Sequence, residues 1–201
     1  MKPTIDHILK NDLCFLSLDL ELNQPSGRII QVGVALGKRL QSEEDYTVKQ
    51  WLLSPQEPLA PFITELTGIT EQDIAERAVS WEQMAQELLA LIETHKPFVN
   101  PVTWGGGDSE ELLQALRERD IAFPAFGRRW IDCKTYHVFS ALAQGKSTSG
   151  GLRSIMSRYG MTFQGTPHRA DVDALNTLRL FFKLLSRQAN MEAVVSLSKN
   201  C

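Results

Sequence analysis

Cysteine is scarce in this chain of 201 residues. Cys14, Cys133 and Cys201 are odd in number, far apart and without CxxC spacing, which excludes a disulfide framework and a thiolate zinc site and predicts reduced thiols. Long apolar runs are missing as well. None approaches ~18 residues, so no membrane-spanning helix and no membrane partner are expected. The opening MKPTIDHILKND places acids inside its only apolar stretch, which is not the form of a secretion signal, and the protein is expected to be cytoplasmic. An excess of basic charge is also absent: 21 Lys+Arg face 24 Asp+Glu, for a net charge of −3. That is not the footprint of a protein that grips phosphates by bulk charge alone. Low-complexity tracts and internal repeats are lacking too, which excludes solenoids and largely disordered architectures.

What remains is an ordinary globular composition, 43% hydrophobic and 22% charged, in a length that suits one domain over 1–201, with a core over about 12–187 and a C-terminal tail over 188–201. Charge is spread unevenly. Residues 1–100 carry 8 basic and 15 acidic side chains, and residues 101–201 carry 13 and 9. A site built from carboxylates and metal accounts for part of that acidity.

The stretch CFLSLDLEL alternates Leu16, Leu18, Leu20 and Leu22 with Ser17, Asp19 and Glu21, the period of a strand buried on one face. Asp19 and Glu21 then point the same way. After the turn residues Pro25, Ser26 and Gly27, strands are expected over 28–36 and 46–53, joined as an antiparallel meander. Short helices are expected over 60–66 and 71–76, and a longer one over 81–93 with Ser80 as N-cap. Further strands are expected over 97–104, where Pro101 cannot donate to a ladder, and over 130–133. Helices should follow over 109–119, 135–143, 152–159 and 170–187. The order predicts an α/β fold: a ribonuclease-H-like domain with a five-stranded mixed sheet flanked by α-helices.

Three groups of residues carry chemistry, and each has a plainer reading beside it. Asp19 and Glu21 supply paired carboxylates from one strand face, as two-metal phosphodiester hydrolysis requires, or they are the solvated face of an edge strand. Asp108 follows Trp104-Gly105-Gly106-Gly107 where a strand ends and a helix begins, a common ligand position, or it is an N-cap boxed with Glu111. His168 precedes a helix and Asp173 lies on it. Five residues along one helix set side chains ~140° apart, so the two converge only if His168 sits on the loop before it, as Pro167 favours. The plain readings are a loop histidine and a solvated acid, and Asp171 is an equal candidate for the ligand.

The segments Asp19-x-Glu21, TWGGGD (103–108) and His168-x-Ala170-x-x-Asp173 occur in the order of the DEDDh 3′-to-5′ exonucleases, which this chain resembles over most of its length. Within that superfamily it is most similar to the enhanced-RNAi-type exoribonucleases and KapD-like bacterial exonucleases, through GRIIQVGVAL (27–36), FITELTGIT (62–70) and GLRSIMSRYGMTFQGTPHRADVDALN (151–176). The resemblance implies two divalent cations, Mg2+ or Mn2+, held by Asp19, Glu21, Asp108 and Asp173. Asp19 would bridge both, Glu21 and Asp173 would complete the tighter site, and His168 would act as general base. It implies that Leu20, Leu66 and Thr67 pack against the terminal nucleotide of single-stranded RNA or DNA 3′ ends, with RNA or short 3′ overhangs favoured. Trp104 and Phe163 are stacking platforms or core aromatics, and Arg128, Arg129, Lys134, Arg153 and Arg158 steer phosphates or are ordinary surface. The chain departs from the commonest pattern at Leu22 and Asn23, where many members have a Thr after the first motif, and at Pro101. A homodimer is compatible with the sequence. The rival readings are a DNA proofreading subunit and a non-catalytic RNA-binding domain, the latter disfavoured because crowded acids are costly unless cations neutralise them.

Overall fold

Residues 13–123 and 125–198 are described by a computed structural model. The segment 1–12 and Cys201, for which a non-signal N-terminus and a reduced thiol are expected, lie outside the described residues. Cys14 and Cys133 are buried free thiols.

The alternation of CFLSLDLEL makes strand β1, Cys14–Leu22, with Leu16, Leu18 and Leu20 buried. It pairs antiparallel with β2, Ile29–Lys38, which pairs antiparallel with β3, Thr47–Leu53. The expected meander is therefore present. The register sets Asp19 opposite Gly33, and Gly33 opposite Gln50. On its other edge β1 pairs in parallel with β5, Val102–Thr103, which pairs in parallel with β6, Ile131–Asp132. The buried Ser17 hydroxyl donates to the Val102 carbonyl at 3.1 Å and adds a side-chain tie between β1 and β5.

Parallel neighbours need crossovers, and helices supply them. Between β3 and β5 lie α1, Pro61–Thr67, α2, Glu71–Arg77, and α3, Trp81–His95; α4, Asp108–Arg117, joins β5 to β6. Then come α5, Cys133–Ala143, α6, Leu152–Arg158, and the long α7, Ala170–Ser198. Ser80 caps α3 as expected, its hydroxyl accepting the Gln83 N–H at 3.1 Å. The leucine face of β1 packs with Met84 and Leu88 of α3 and Leu112 and Leu116 of α4. On the opposite face, Ala174, Leu178, Phe181 and Phe182 of α7 pack with Ala35 and Val102. Side chains of β1 that alternate with the leucines, Asp19 and Glu21 among them, share the face that α7 covers.

Three expectations need correction. The sheet has six strands, not five, in the order β4-β3-β2-β1-β5-β6. The additional strand β4, Ala78–Val79, forms where α2 ends and runs parallel to β3; a pair of residues is too short to carry a period. The strand expected over 97–104 contracts to Val102–Thr103, beginning just past Pro101, which lacks the N–H a ladder needs. Helix α7 continues past 187 through Ser198, so the first part of the expected tail is the same helix.

Candidate active site

Because β1 lies between β2 and β5, Asp19 and Glu21 are not on an edge strand. Asp19 and Glu21, the latter one step nearer the strand end, are both partly buried. A carboxylate in the middle of a sheet is costly without a compensating charge.

Opposite them, α7 begins unusually close to the sheet. A Cβ on Gly33 would lie 2.0 Å from the carbonyl carbon of Ala170 and 2.1 Å from the nitrogen of Asp171, so only glycine permits this approach. The buried Gln31 side chain accepts the Ala170 N–H at 2.9 Å and satisfies one of the free donors at the helix start. Its amide nitrogen lies 3.5 Å from Asp171 Oδ1 and also donates to the Gln50 side chain. Asp171 is thus turned toward Gln31, while Asp173 faces the cleft. His168 sits on the loop before α7, as the spacing requires, with φ of 61°, a left-handed conformation that few non-glycine residues adopt. Its backbone N–H donates to Asp173 Oδ2 at 2.9 Å. Asn176 holds the same loop from one turn further along, bonding the Gln164 N–H and carbonyl at 3.0 and 2.8 Å.

Asp108 is the first residue of α4, and the N-cap position belongs to Gly107 at φ of 114° with no side-chain cap. The capping-box reading with Glu111 is therefore not realised, and the Asp108 carboxylate is not committed to backbone N–H groups. The loop leading to it is fastened by Asp132, whose Oδ1 accepts the Gly105 N–H at 2.9 Å while also capping α5 through Lys134 and Thr135.

These elements enclose a cleft of about 920 Å³, lined by Asp19, Glu21, His168 and Asp173. Ligand atoms of Glu21, His168 and Asp173 all lie within 4.8 Å of one another. Of the residues expected to touch a nucleotide, Leu20, Leu66 and Trp104 line the cleft, and Phe163 and Arg153 join them. Leu66 is exposed, whereas Trp104 also packs on the core beneath. Thr67 does not line the cleft. It is buried, its hydroxyl donating to the Ile63 carbonyl at 2.7 Å and accepting the Ile69 N–H at 3.1 Å, so it braces the α1 terminus beside Leu66. Asp108 is not a lining residue either; its influence is electrostatic. Arg128, Arg129, Lys134 and Arg158 lie outside the lining.

The four acids disturb one another. Burial lifts Asp19 well above the usual carboxylate range, reinforced by the charges of Asp108, Asp173 and Glu21. Glu21 is pushed up to about 7, first by burial and then by Asp173, with Arg169 opposing. Asp108 is also pushed up to about 7, by burial and then by Asp132, Glu110 and Glu111. Burial raises Asp173 as well, although the His168 N–H partly offsets it. Carboxylates remote in sequence and resisting joint ionisation form a cation-shaped electrostatic hole. Sequence reasoning missed Gln31, Gly33 and Asp132. A glutamine and a glycine inside the apolar IIQVGVAL were the visible signal for the first two.

A family model described as exonuclease, RNase_T, matches residues 16–181. The chain is 26% identical over 168 residues to ERI1 exoribonuclease 2 of Xenopus laevis, covering 73% of this chain and 24% of that protein. It is 26% identical over 133 residues to 3′-5′ exoribonuclease 1 of Mus musculus, covering 63% and 37%. It thus spans about a quarter to somewhat over a third of these relatives' lengths. Among solved structures, the nuclease domain of 3′hExo, a DEDDh family member bound to rAMP, superposes with a TM-score of 0.73 at 19% identity, covering 89% of this chain and 94% of that one. A 3′-exonuclease described in 3′-end specific recognition of a histone mRNA stem-loop superposes at 0.72 and 19% identity, covering 88% and 64%. At that identity the likeness concerns the fold. With the family model matched across most of its length, this chain belongs to the exonuclease family.

Proposed function

We propose that this chain, as one exonuclease domain, removes 5′-mononucleotides from the 3′ ends of single-stranded RNA by a two-metal mechanism. The observation that carries the reading is the meeting of Asp19, Glu21, His168 and Asp173 in one cleft, with the Asp108 charge acting on the same carboxylates. RNA is favoured over DNA because the curated relatives are named as exoribonucleases.

The donor set suits hard divalent cations, since all four acids offer carboxylate oxygen and Asp19 and Glu21 resist ionising beside the others. Asp19, Glu21, Asp108 and Asp173 would hold them. When bound, a Mg2+ or Mn2+ pair supplies an acidified water and neutralises charge developing at the leaving oxygen. His168 accepts a proton from the attacking water, a role open to an exposed imidazole on a loop beside the acids. Water oxygen bonds to phosphorus, the bond from phosphorus to the 3′ oxygen breaks, and that oxygen takes a proton from solvent, so the shortened strand leaves with a 3′ hydroxyl. Asp173 holds the His168 backbone through its Oδ2 and so fixes where the imidazole starts. Leu20 and Leu66 provide apolar contact for the terminal nucleotide, Thr67 supports Leu66 from below, and Trp104 and Phe163 offer aromatic faces for bases.

The test is a digestion ladder from 5′-labelled single-stranded RNA and DNA of one sequence, with magnesium, manganese or chelator. Products shortening one nucleotide at a time from the 3′ end, faster on RNA and absent with chelator, are expected. Internal cuts or activity undiminished by chelator would overturn the reading, and a preference for DNA would move it to the proofreading alternative.

A further inference from the structure

Helix α6 borders two hollows. Ser154 and Ser157 face the cleft, whereas Arg158 and the following Tyr159 line a second cavity of about 380 Å³ shared with His137, Lys146, Ser147 and Arg187. No acidic side chain lines it. Lys146 Nζ lies 2.9 Å from Gln144 Oε1, Arg158 donates to the Ser147 carbonyl at 3.0 Å, and the Arg187 guanidinium lies 5.1 Å from the centre of the Tyr159 ring. Among the described residues, none of these three cations makes an ion pair.

The floor of this cavity holds a second oddity. His137 is only 4% exposed, its Nδ1 lies 3.1 Å from the Tyr159 hydroxyl, and its buried Nε2 has no partner among the described residues. Burial, then the Arg158 charge, lowers its pKa, which favours the neutral ring. In the tautomer in which the Tyr159 hydroxyl donates to Nδ1, the ring proton sits on Nε2. Buried donors are ordinarily satisfied, and three cations ordinarily do not gather without an anion. A ligand that answers the three cations carries negative charge and several acceptor oxygens, and guanidinium forks match phosphate geometry. We infer that this cavity is a second phosphate-binding site, in which Lys146, Arg158 and Arg187 meet the charge beside the His137–Tyr159 pair.

The phosphate has two sources. It belongs to the backbone of the strand whose 3′ end occupies the cleft, a source that rests on the proposed exonuclease reading, or it is free in solution. The site itself is tested without catalysis, by titrating inorganic phosphate into the full chain and following the His137 ring resonances by NMR, against chloride at matched ionic strength. A saturable change specific to phosphate is expected. The double variant Lys146→Gln/Arg187→Gln, which leaves His137 and the cleft untouched, should weaken it by roughly tenfold or more. No saturable response in the folded wild type, or an unchanged response in the double variant, overturns the site. Steady-state digestion then separates the sources. If KM for a long RNA strand rises several-fold in the double variant while that for a dinucleotide does not, the backbone is the ligand. If KM is unchanged at every length while phosphate binding is lost, the free anion is. A chain that digests nothing yet still binds phosphate refutes the exonuclease reading and leaves the second site standing.

Discussion

Replacing Glu21 by Gln removes one charge from the cleft at nearly constant volume, and the metal-free protein should become more stable as it becomes inactive. Burial, and then the Asp173 charge, lift this carboxyl from 4.5 to about 7. A group whose pKa rises on folding favours the folded state while protonated, so its contribution is complete below about pH 4.5 and is lost as the pH rises through about 7. Above that range the ionised group costs the folded, metal-free chain roughly 3 kcal/mol relative to its protonated form. Gln does not ionise and escapes most of that cost. For a chain of this size each kcal/mol moves Tm by about 2–4 °C, so Glu21→Gln should melt roughly 5–10 °C above the parent at about pH 8 with chelator. At about pH 4 the two should coincide. The assay is a series of calorimetric melts across that range, repeated with manganese, where the parent should recover more stability than the variant because it holds cations more tightly. A variant that melts at or below the parent at alkaline pH, or by a margin independent of pH, would refute the idea that burial and the neighbouring acids oppose ionisation of Glu21 in the folded chain.

Asp19→Ala should leave the fold intact by circular dichroism and reduce nuclease activity by orders of magnitude; undiminished digestion would point to a different site. His168→Ala should slow turnover by about 10²–10⁴-fold while manganese affinity, read by calorimetry, persists; loss of that affinity would make His168 a ligand instead of a base. Gly33→Ala forces a methyl into the Ala170 backbone and should cost about 1–3 kcal/mol in a urea melt together with most of the activity, because α7 carries Asp173. A variant with parental stability and rate would mean that α7 need not sit so near the sheet.

The strand face bearing Asp19 and Glu21 was legible because alternation with leucines leaves little choice of direction, and the helix boundaries followed where Ser80 or Pro167 marks them. Other features depended on distant partners. The role of Asp108 was ambiguous in sequence because Gly107, at a φ that only glycine adopts readily, takes the cap position and frees the carboxylate. Asp171 and Asp173 were indistinguishable until Gln31, 140 residues away, engaged the first. Thr67 is implied by the resemblance as a contact of the terminal nucleotide, while its hydroxyl is engaged by the backbone around it. Asp132 was not singled out in the sequence, because one of its tasks, holding Gly105, crosses from β6 to another loop.

Anomalous diffraction from crystals soaked in manganese with a short RNA strand tests the central claim most directly. The account predicts two adjacent manganese peaks, coordinated between them by Asp19, Glu21, Asp108 and Asp173, with the strand's 3′ end beside them and His168 off the metals. Peaks elsewhere, or a strand terminus lying away from those acids, would contradict it.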